Sequence, residues 1–187
     1  MSLNESFATR VARAPDARAL VALVNSAYRG DSSRVGWTTE ADLLGGQRTD
    51  EDALLEFIAR GETLGDRAML VHERHGQIVA CVQLERRDES AYLGMLTISP
   101  SLQAAGLGKA LLAAAENFVT DGWRSRRITM TVIVQRTELI AWYERRGYVR
   151  TGDTAAFPYG DARFGEPKRP DLSFVVLSKP LSGSAPS

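Results

Sequence analysis

The sequence predicts a single α/β domain of three layers, in which a mixed central sheet is flanked by helices. Strand-like and helical patterns alternate along the chain in the order strand, two helices, three strands, helix, strand, helix and two strands. The 187 residues are 44% hydrophobic, which is enough for one sizeable core. No repeat and no linker divides the chain, so we expect one domain over residues 5–178 and a disordered tail over residues 179–187.

Two helices are predicted in the first third of the chain. The first covers residues 16–28, whose apolar side chains recur at helical spacing after Pro15. The second covers residues 50–60, and Gly61 is expected to end it. The connection between these helices, residues 29–49, is longer than most loops in compact domains, which predicts a functional loop.

Strands and helices alternate in the remainder of the chain. The strand predicted at residues 77–86 has apolar side chains on both faces, which indicates a central strand. Gly147 is expected to end the last helix. The other predicted elements are strands at 68–73, 91–99, 128–134, 148–157 and 172–177, and helices at 106–120 and 137–146.

The charge and the cysteine content exclude several kinds of function. Lysine and arginine together number 23, as do aspartate and glutamate, which argues against nucleic acid or an anionic membrane surface as the main partner. Cys81 is the only cysteine and there are two histidines, so we expect no disulfide within the chain and no metal site. No segment has the length of a signal-peptide core or a membrane span, and the expected compartment is the cytoplasm.

The most informative segment is the junction of a predicted strand and a predicted helix at residues 96–112. Gly106 and Gly108 open the helix, where backbone N–H groups and the helix dipole favour an anion. The segment is not a P-loop, because Gln103 stands where that motif has its first glycine. It is not a Rossmann fingerprint either, because Leu111 stands where the third glycine is required. A tight turn without a ligand is the alternative.

Two motifs resemble those of the GNAT superfamily of acetyl-CoA-dependent N-acetyltransferases. The sequence Q-A-A-G-L-G at residues 103–108 resembles the loop that binds the pyrophosphate of acetyl-CoA in this family. The sequence A-W-Y-E-R-R-G-Y at residues 141–148 resembles the family's second coenzyme-binding element. The two motifs stand in the family order, and the order of elements resembles the family fold over residues 7–177. The resemblance implies an acyltransferase that uses acetyl-CoA as co-substrate.

The resemblance also assigns residues to the coenzyme. The strand that ends at Ile98 would offer backbone groups to the pantetheine arm, and the glycine loop would hold the pyrophosphate. Arg136 stands where many family members have asparagine, so it is open whether this arginine reaches a phosphate or is a solvated charge. The residues assigned to the coenzyme are Leu96, Thr97, Ile98, Gln103, Ala104, Ala105, Gly106, Leu107, Gly108, Lys109, Arg136, Trp142 and Arg146.

Tyr143 is the residue that the resemblance assigns to catalysis. In this family the amine attacks the thioester directly, and the leaving group is a thiolate, whose thiol has an ordinary pKa of about 8.5. A phenol with an ordinary pKa of about 10 is protonated at neutral pH and can donate its proton to that thiolate. The alternative is packing alone, because Tyr143 shares a helical stripe with Leu139, Trp142 and Arg146.

The sequence leaves the general base and the acceptor pocket open. The acceptor pocket is expected from residues 29–49 and 157–171, because loops at the open end of a sheet carry recognition residues. In these loops Trp37 and Tyr159 could clamp a substrate or close over the core. The possible proton acceptors are Glu40, Glu85, Glu89 and His72. The side chains that could attract an amine are Asp31, Glu40 and Asp161, and those that could bind a carboxylate are Arg48 and Arg163.

These features predict an N-acetyltransferase that moves an acetyl group to a primary amine of a small molecule or peptide. Amino acids, polyamines, peptide N-termini and small xenobiotic amines are all open as acceptors, as are O-acylation and a longer acyl donor. A module that binds acetyl-CoA without catalysis is the alternative on the same fold. A homodimer is also expected, although no exposed stripe in the sequence demonstrates it.

Overall fold

The computed structural model describes residues 7–29, 31–36 and 39–182 of the chain. The helices of this part are α1 (Ala17–Tyr28), α2 (Glu51–Leu64), α3 (Leu107–Asp121) and α4 (Thr137–Glu144). The strands are β1 (Ala8–Val11), β2 (Leu44–Gly45), β3 (Arg67–Arg74), β4 (Gln77–Arg87), β5 (Ser90–Ile98), β6 (Arg127–Ile133), β7 (Val149–Ala156), β8 (Glu166–Pro167) and β9 (Ser173–Pro180).

Seven of these strands form one mixed sheet in the order β1-β3-β4-β5-β6-β9-β7. Only the neighbours β5 and β6 are parallel, and the other pairs are antiparallel. Helices α1 and α2 pack with Met69, Val71 and Cys81 on one face of the sheet. Helices α3 and α4 pack on the other face, where Leu70 and Val82 lie. The predicted three-layer α/β fold and the central position of β4 are therefore confirmed.

Helix α2 is longer than the sequence suggested, and the prediction that Gly61 ends it is wrong. The helix continues to Leu64 and ends at Gly65, whose φ of 67° is left-handed. The position inside the helix is occupied by glycine because β3 passes very close to it. A Cβ at Gly61 would lie 2.4 Å from the carbonyl oxygen of Arg67. The glycine marks a close approach between two elements rather than a helix terminus.

The last strand extends beyond the expected end of the domain. Strand β9 includes Lys179 and Pro180, which were expected to belong to the disordered tail. Lys179 pairs with Glu116 of α3 at 2.7 Å, and the N–H of Leu181 donates to the carbonyl of Arg126 at 2.8 Å. These contacts with α3 and with the residue before β6 hold residues 179–181 at the sheet although their composition is typical of a linker. Residues 183–187 of the expected tail lie outside the described residues.

A two-stranded ribbon joins the two loops that were expected to form the acceptor pocket. Leu44 of β2 pairs with Pro167 of β8 in antiparallel register. Beside this ribbon, Lys168 donates from its backbone N–H to the carbonyl of Leu43 at 2.9 Å and from Nζ to the carbonyl of Ala41 at 2.6 Å. The sequence analysis did not predict this ribbon, which brings the loops together over one end of the main sheet.

The main sheet opens between its two parallel strands. Register between β5 and β6 is limited to Ser90–Arg127, Ala91–Ile128 and Tyr92–Thr129. Further along β5, Met95 has a φ of 48° and the register with β4 shifts between Cys81 and Gln83. Such a bulge bends a strand, and here β5 and β6 diverge. The gap that results is where the candidate site lies.

Candidate active site

Two cavities lie at the gap between β5 and β6. We call the first the loop cavity, which has a volume of about 220 Å³ and includes the start of α3 in its lining. We call the second the sheet cavity, which has a volume of about 390 Å³ and is lined mainly by β5, β6 and the two joined loops. Tyr28, Leu96 and Leu139 line both cavities. The two cavities are therefore neighbours that share one wall.

The loop cavity gathers most of the residues assigned to the coenzyme. Those that line it are Leu96, Ile98, Gln103, Gly106, Gly108, Lys109, Trp142 and Arg146. Thr97 instead points its buried hydroxyl to the carbonyl of Met95 at 2.9 Å, and Leu107 is buried in the core. Ala104 and Ala105 lie in the short 3-10 turn before Gly106.

The start of α3 gives the loop cavity an anion-binding character. Gly106 has a φ of 76° and precedes the first helical residue, and a Cβ there would meet nothing within 4 Å. Gly108 lies one helical position further, where a Cβ would come within 3.2 Å of the Trp142 ring. The first turn of α3 therefore packs tightly on α4 while Gly108 and Lys109 of this turn line the cavity, and the first N–H groups of a helix are the ones without a partner inside it.

Arg146 adds a second cation to the loop cavity. Its guanidinium lies 3.6 Å from the centre of the Trp142 ring and donates to the Trp142 carbonyl at 2.7 Å. Its Nε is buried and has no hydrogen-bond partner among the described residues. A buried donor without a partner is costly unless a ligand satisfies it, so Arg146 suits a phosphate or another anion.

Tyr143 lies in the wall of the sheet cavity, where its side chain is 4% exposed. Its ring packs edge-on against Trp142 at 5.0 Å and Tyr148 at 5.5 Å. Burial, with a smaller effect from the nearby Tyr28, raises the pKa of the Tyr143 phenol above its ordinary value. Tyr143 is therefore protonated at neutral pH. It both packs among aromatic rings and faces the cavity, so its catalytic role stays a prediction.

Glu40 is held in a buried cluster of arginines. One carboxylate oxygen accepts a hydrogen bond from Arg29, and the other accepts from Arg136 at 2.8 Å. Burial alone would raise the pKa of Glu40, but the positive charges of Arg136, Arg48 and Arg29 outweigh it and lower this pKa below its ordinary value. Glu40 is therefore ionised, and its charge is already compensated by its neighbours.

Arg136 lines the sheet cavity and not the loop cavity. Its side chain is 10% exposed, and its guanidinium lies 5.6 Å from the centre of the Tyr28 ring. It is thus not a solvated charge, and its described partner is Glu40 rather than the glycine loop. Its contact with the coenzyme stays a prediction.

Tyr28 and Arg29 belong to the candidate site, although nothing in the sequence assigned them to it. The Tyr28 hydroxyl donates to the carbonyl of Leu96 at 2.6 Å, which ties the end of α1 to the open part of β5. Arg29 is 5% exposed, and its Nε and Nη2 have no hydrogen-bond partner among the described residues. The only signal in the sequence is a tyrosine and an arginine at the end of an amphipathic helix, which is common on protein surfaces.

The structure separates the four possible proton acceptors. Glu40 lines the sheet cavity, whereas Glu85, Glu89 and His72 line neither of the two cavities. The Nδ1 atom of His72 is 2.9 Å from the Thr9 hydroxyl, at the far side of the sheet. Glu89 is 77% exposed. Among the described residues that line the sheet cavity, Glu40 is the one carboxylate, and it is already paired with Arg29 and Arg136.

The remaining acceptor candidates are spread over the surface of the two loops. The Tyr159 hydroxyl accepts from the N–H of Leu172 at 2.7 Å and donates to the carbonyl of Arg169 at 3.0 Å, so it fixes its own loop. Asp161 pairs with the exposed Arg163, and Asp31 is exposed. Trp37 lies outside the described residues. Glu40 and Arg48 are the candidates that line the sheet cavity.

The described part of the chain contains no helix that is long and apolar enough to cross a membrane. Within the same part, no three side chains of His, Cys, Asp or Glu are grouped closely enough to hold a metal ion.

The chain is similar in sequence to acetyltransferases. A family model described as an acetyltransferase (GNAT) domain matches residues 44–158. A mycothiol acetyltransferase from Salinispora tropica is 33% identical over 136 aligned residues, a match that covers 68% of this chain. The match spans only 39% of the length of that curated relative.

Solved structures of acetyltransferases share the fold. A ribosomal-protein-alanine N-acetyltransferase from Brucella melitensis has a TM-score of 0.70 at 20% identity, over 93% of this chain and 99% of that chain. A PaiA N-acetyltransferase from Thermoplasma acidophilum in complex with coenzyme A has a TM-score of 0.65 at 16% identity, over 94% and 99% of the two chains. A variant of the spermidine N-acetyltransferase from Vibrio cholerae has a TM-score of 0.68 at 16% identity, over 96% of each chain.

Proposed function

The chain belongs to the GNAT acetyltransferase family, and we propose that it is an enzyme that transfers the acetyl group of acetyl-CoA to a primary amine of a small molecule or peptide. The observation that carries this proposal is the pair of cavities at the gap between β5 and β6. One cavity suits the coenzyme and the other suits the acceptor, and Leu96 and Leu139 belong to the wall between them.

The loop cavity fits the phosphates and the pantetheine arm of a coenzyme. The first turn of α3 and Lys109 would bind the pyrophosphate, and Arg146 would offer its buried Nε to an anionic oxygen. The open part of β5 would form backbone hydrogen bonds with the pantetheine arm, as the edge of a sheet does with an added strand. The Leu96 carbonyl already accepts from Tyr28, which leaves one lone pair of this oxygen for the arm.

Tyr143 would supply the proton that the reaction needs. The amine nitrogen forms a bond with the carbonyl carbon of the thioester, and the C–S bond breaks. Tyr143 donates its hydroxyl proton to the leaving thiolate, which gives the free thiol of CoA. The attacking nitrogen loses one proton to water, and the phenolate recovers one from water, so protons and charges balance.

The test is a measurement of thermal stability followed by an acetylation assay. Acetyl-CoA, CoA, ATP and NAD are added separately in large excess, and acetyl-CoA and CoA are expected to raise the Tm. At about a hundred times its Kd a ligand stabilises the fold by roughly 2.7 kcal/mol, which corresponds to roughly 5–10 °C for a domain of this size. Release of the CoA thiol is then followed with a panel of amines.

The Lys109→Glu variant tests the location of the coenzyme. Lys109 is exposed at the start of α3, so this substitution should leave the fold intact and reduce the shift caused by CoA. Arg18→Glu makes the same charge change on α1, where the side chain is 89% exposed, and should leave the shift unchanged. A shift with ATP or NAD alone would contradict the proposal. Binding of CoA without acetylation of any amine would indicate a coenzyme-binding module instead.

A further inference from the structure

The sheet cavity carries an excess of positive charge. Its described charged residues are Arg48, Arg87, Arg136 and Glu40. Glu40 is shared between Arg136 and the buried Arg29 behind the cavity, so it offers no net negative charge to a ligand. A polyamine would meet three arginines and one carboxylate that is already paired, and like charges that approach in a partly buried site repel strongly.

Arg48 is the arginine best placed to bind a ligand. Its side chain is partly buried, and its guanidinium lies 5.9 Å from the centre of the Tyr28 ring. Among the described residues no carboxylate lies within ion-pairing distance of Arg48, whereas Arg136 pairs with Glu40 and Arg87 pairs with Glu85 at 3.7 Å. An arginine fork of this kind in a cavity suits a carboxylate.

Most of the other residues that line the sheet cavity are apolar. Met95 and Met130 come from the two diverging strands, and Phe164 and Phe174 come from the loop after β7 and from β9. A cavity of about 390 Å³ has the size of small-molecule sites. The cavity therefore combines one unpaired cation with walls that favour a hydrocarbon or aromatic group.

We propose that the acceptor is a free amino acid with an apolar side chain, whose carboxylate pairs with Arg48 and whose side chain packs on the apolar walls. This inference rests on the proposed acetyl transfer and narrows the acceptor to one chemical class. A peptide N-terminus does not fit it, because the carboxylate of a peptide lies far from the attacking amine.

The positive charges of the sheet cavity also favour the neutral amine that has to attack the thioester. A cation that faces a bound ammonium lowers the pKa of that ammonium. Arg48, Arg136 and Arg87 line the cavity, and Glu40, the carboxylate among its described lining residues, is paired. The cavity therefore makes it easier for a bound ammonium to lose its proton to water.

The test compares ligands that differ in the carboxylate alone. Phenylalanine, leucine and methionine are each paired with the decarboxylated amine and with the amino acid amide, which keeps the size and loses the negative charge. Kd values are measured by calorimetry on the protein saturated with CoA, and kcat/KM is measured from thiol release with acetyl-CoA. At least one amino acid is expected to have a Kd about tenfold or more lower, and a kcat/KM about tenfold or more higher, than its amine and its amide.

Variants of Arg48 show whether this residue recognises the carboxylate. Arg48→Gln should raise the Kd of the preferred amino acid by about tenfold or more and leave the Kd of its amine unchanged. Arg48→Lys keeps the charge and should retain part of the preference, which keeps the test informative if Arg48→Gln is unstable. Arg18→Gln removes an exposed charge on α1 and is the matched control.

The outcomes separate this inference from the proposed function. Amines or amides that bind as tightly as the amino acids would overturn the inference, as would Arg48→Gln weakening all ligands equally or no binding of any of the three amino acids. If some other amine is acetylated in those cases, the acetyltransferase proposal stands. Selective binding of an amino acid through Arg48 without acetylation would support the ligand class and refute the proposed function.

Discussion

Two buried side chains of the candidate site have opposite protonation preferences. Burial raises the pKa of Tyr143, so the phenol keeps its proton, whereas the surrounding arginines keep Glu40 ionised although burial opposes this. Both groups lie at the sheet cavity. Titratable groups whose environments push their pKa values apart are typical of active sites, and we predict that Tyr143 acts as a proton donor and Glu40 as a structural anion.

Tyr143→Phe should lower kcat by roughly a hundredfold or more, because positioned proton donors contribute on this scale. The Kd of CoA should not change, since the ring and its packing are retained. Tyr148→Phe is the matched control: it removes a buried hydroxyl that donates to Glu116 at 3.0 Å and lines neither cavity, so it should cost stability and not kcat. An unchanged kcat in Tyr143→Phe would leave packing as the role of this residue.

Glu40→Gln should destabilise the fold by about 3 kcal/mol, because it leaves Arg29 and Arg136 buried without their counter-ion. The folded-state pKa of Glu40 lies below its ordinary value of 4.5. Its carboxylate therefore contributes stability above that ordinary value, and the contribution is lost as the pH falls through the folded-state pKa.

Urea unfolding at pH 7 and at low pH measures this effect. The difference in unfolding free energy between the native protein and Glu40→Gln should be largest near neutral pH and should shrink on acidification. A difference that does not depend on pH would mean that the charge of Glu40 is not what stabilises the cluster.

The cluster around Glu40 also shows why part of the site escaped sequence analysis. Glu40 and Arg136 are 96 residues apart in the chain, and no periodic pattern links them. In the sequence, Arg136 stands out only because it departs from a family motif, and nothing distinguishes Arg29 from the other charged residues of its loop. The glycine loop could be predicted because its residues are contiguous, and most of the residues assigned to the coenzyme do line one cavity.

At the level of elements, helix α2 and strand β3 approach each other closely at Gly61. Alanine in place of glycine usually stabilises a helix interior by about 1 kcal/mol. Gly61→Ala should instead destabilise the fold by about 1–3 kcal/mol, because its Cβ would lie 2.4 Å from the Arg67 carbonyl oxygen. Unfolding midpoints in urea measure the effect.

Gly65→Ala and Gly65→Asn are the comparison for this prediction. Gly65 has a φ of 67° and open space around its Cβ position, so alanine there should cost about 1 kcal/mol through backbone strain and asparagine less. At Gly61 asparagine should be worse than alanine, because size and not conformation is the problem. A stabilising Gly61→Ala would contradict the close approach.

Most elements of the fold could be predicted from the sequence. The elements that the sequence did not predict were missed for physical reasons. Periodicity predicted α1 and the buried strand β4 because each has a continuous apolar pattern. The ribbon of β2 and β8 has only two residues per strand and no pattern of its own, so it exists only because the two loops meet. The end of β9 was missed because Ser178, Lys179 and Pro180 have a linker composition and are held by partners elsewhere in the fold.

At the level of the whole molecule, the arrangement favours a direct reaction between two bound substrates. The loop cavity and the sheet cavity share a wall at one gap in the sheet, so both substrates can be present together. Cys81, the only cysteine of the chain, is fully buried, and burial raises the pKa of its thiol to about 12. It is therefore not a nucleophile that could carry the acetyl group.

Initial rates measured over a grid of acetyl-CoA and amine concentrations should give intersecting double-reciprocal lines. The mass of the protein should stay unchanged after incubation with acetyl-CoA in the absence of an amine. Parallel lines together with a stable acetyl adduct would indicate a covalent intermediate and would contradict the ternary complex.

The short pairing of β5 with β6 also divides the polypeptide into two consecutive pieces. Strands β1, β3, β4 and β5 come from the first piece, and β6, β9 and β7 come from the second, which begins after α3. A single break between α3 and β6 would thus fall between these two halves of the sheet without cutting a strand, and the β2–β8 ribbon is one of the contacts that would still join them. The fold is in this sense an assembly of two fragments, and a coenzyme bound in the gap would contact both of them and hold them together.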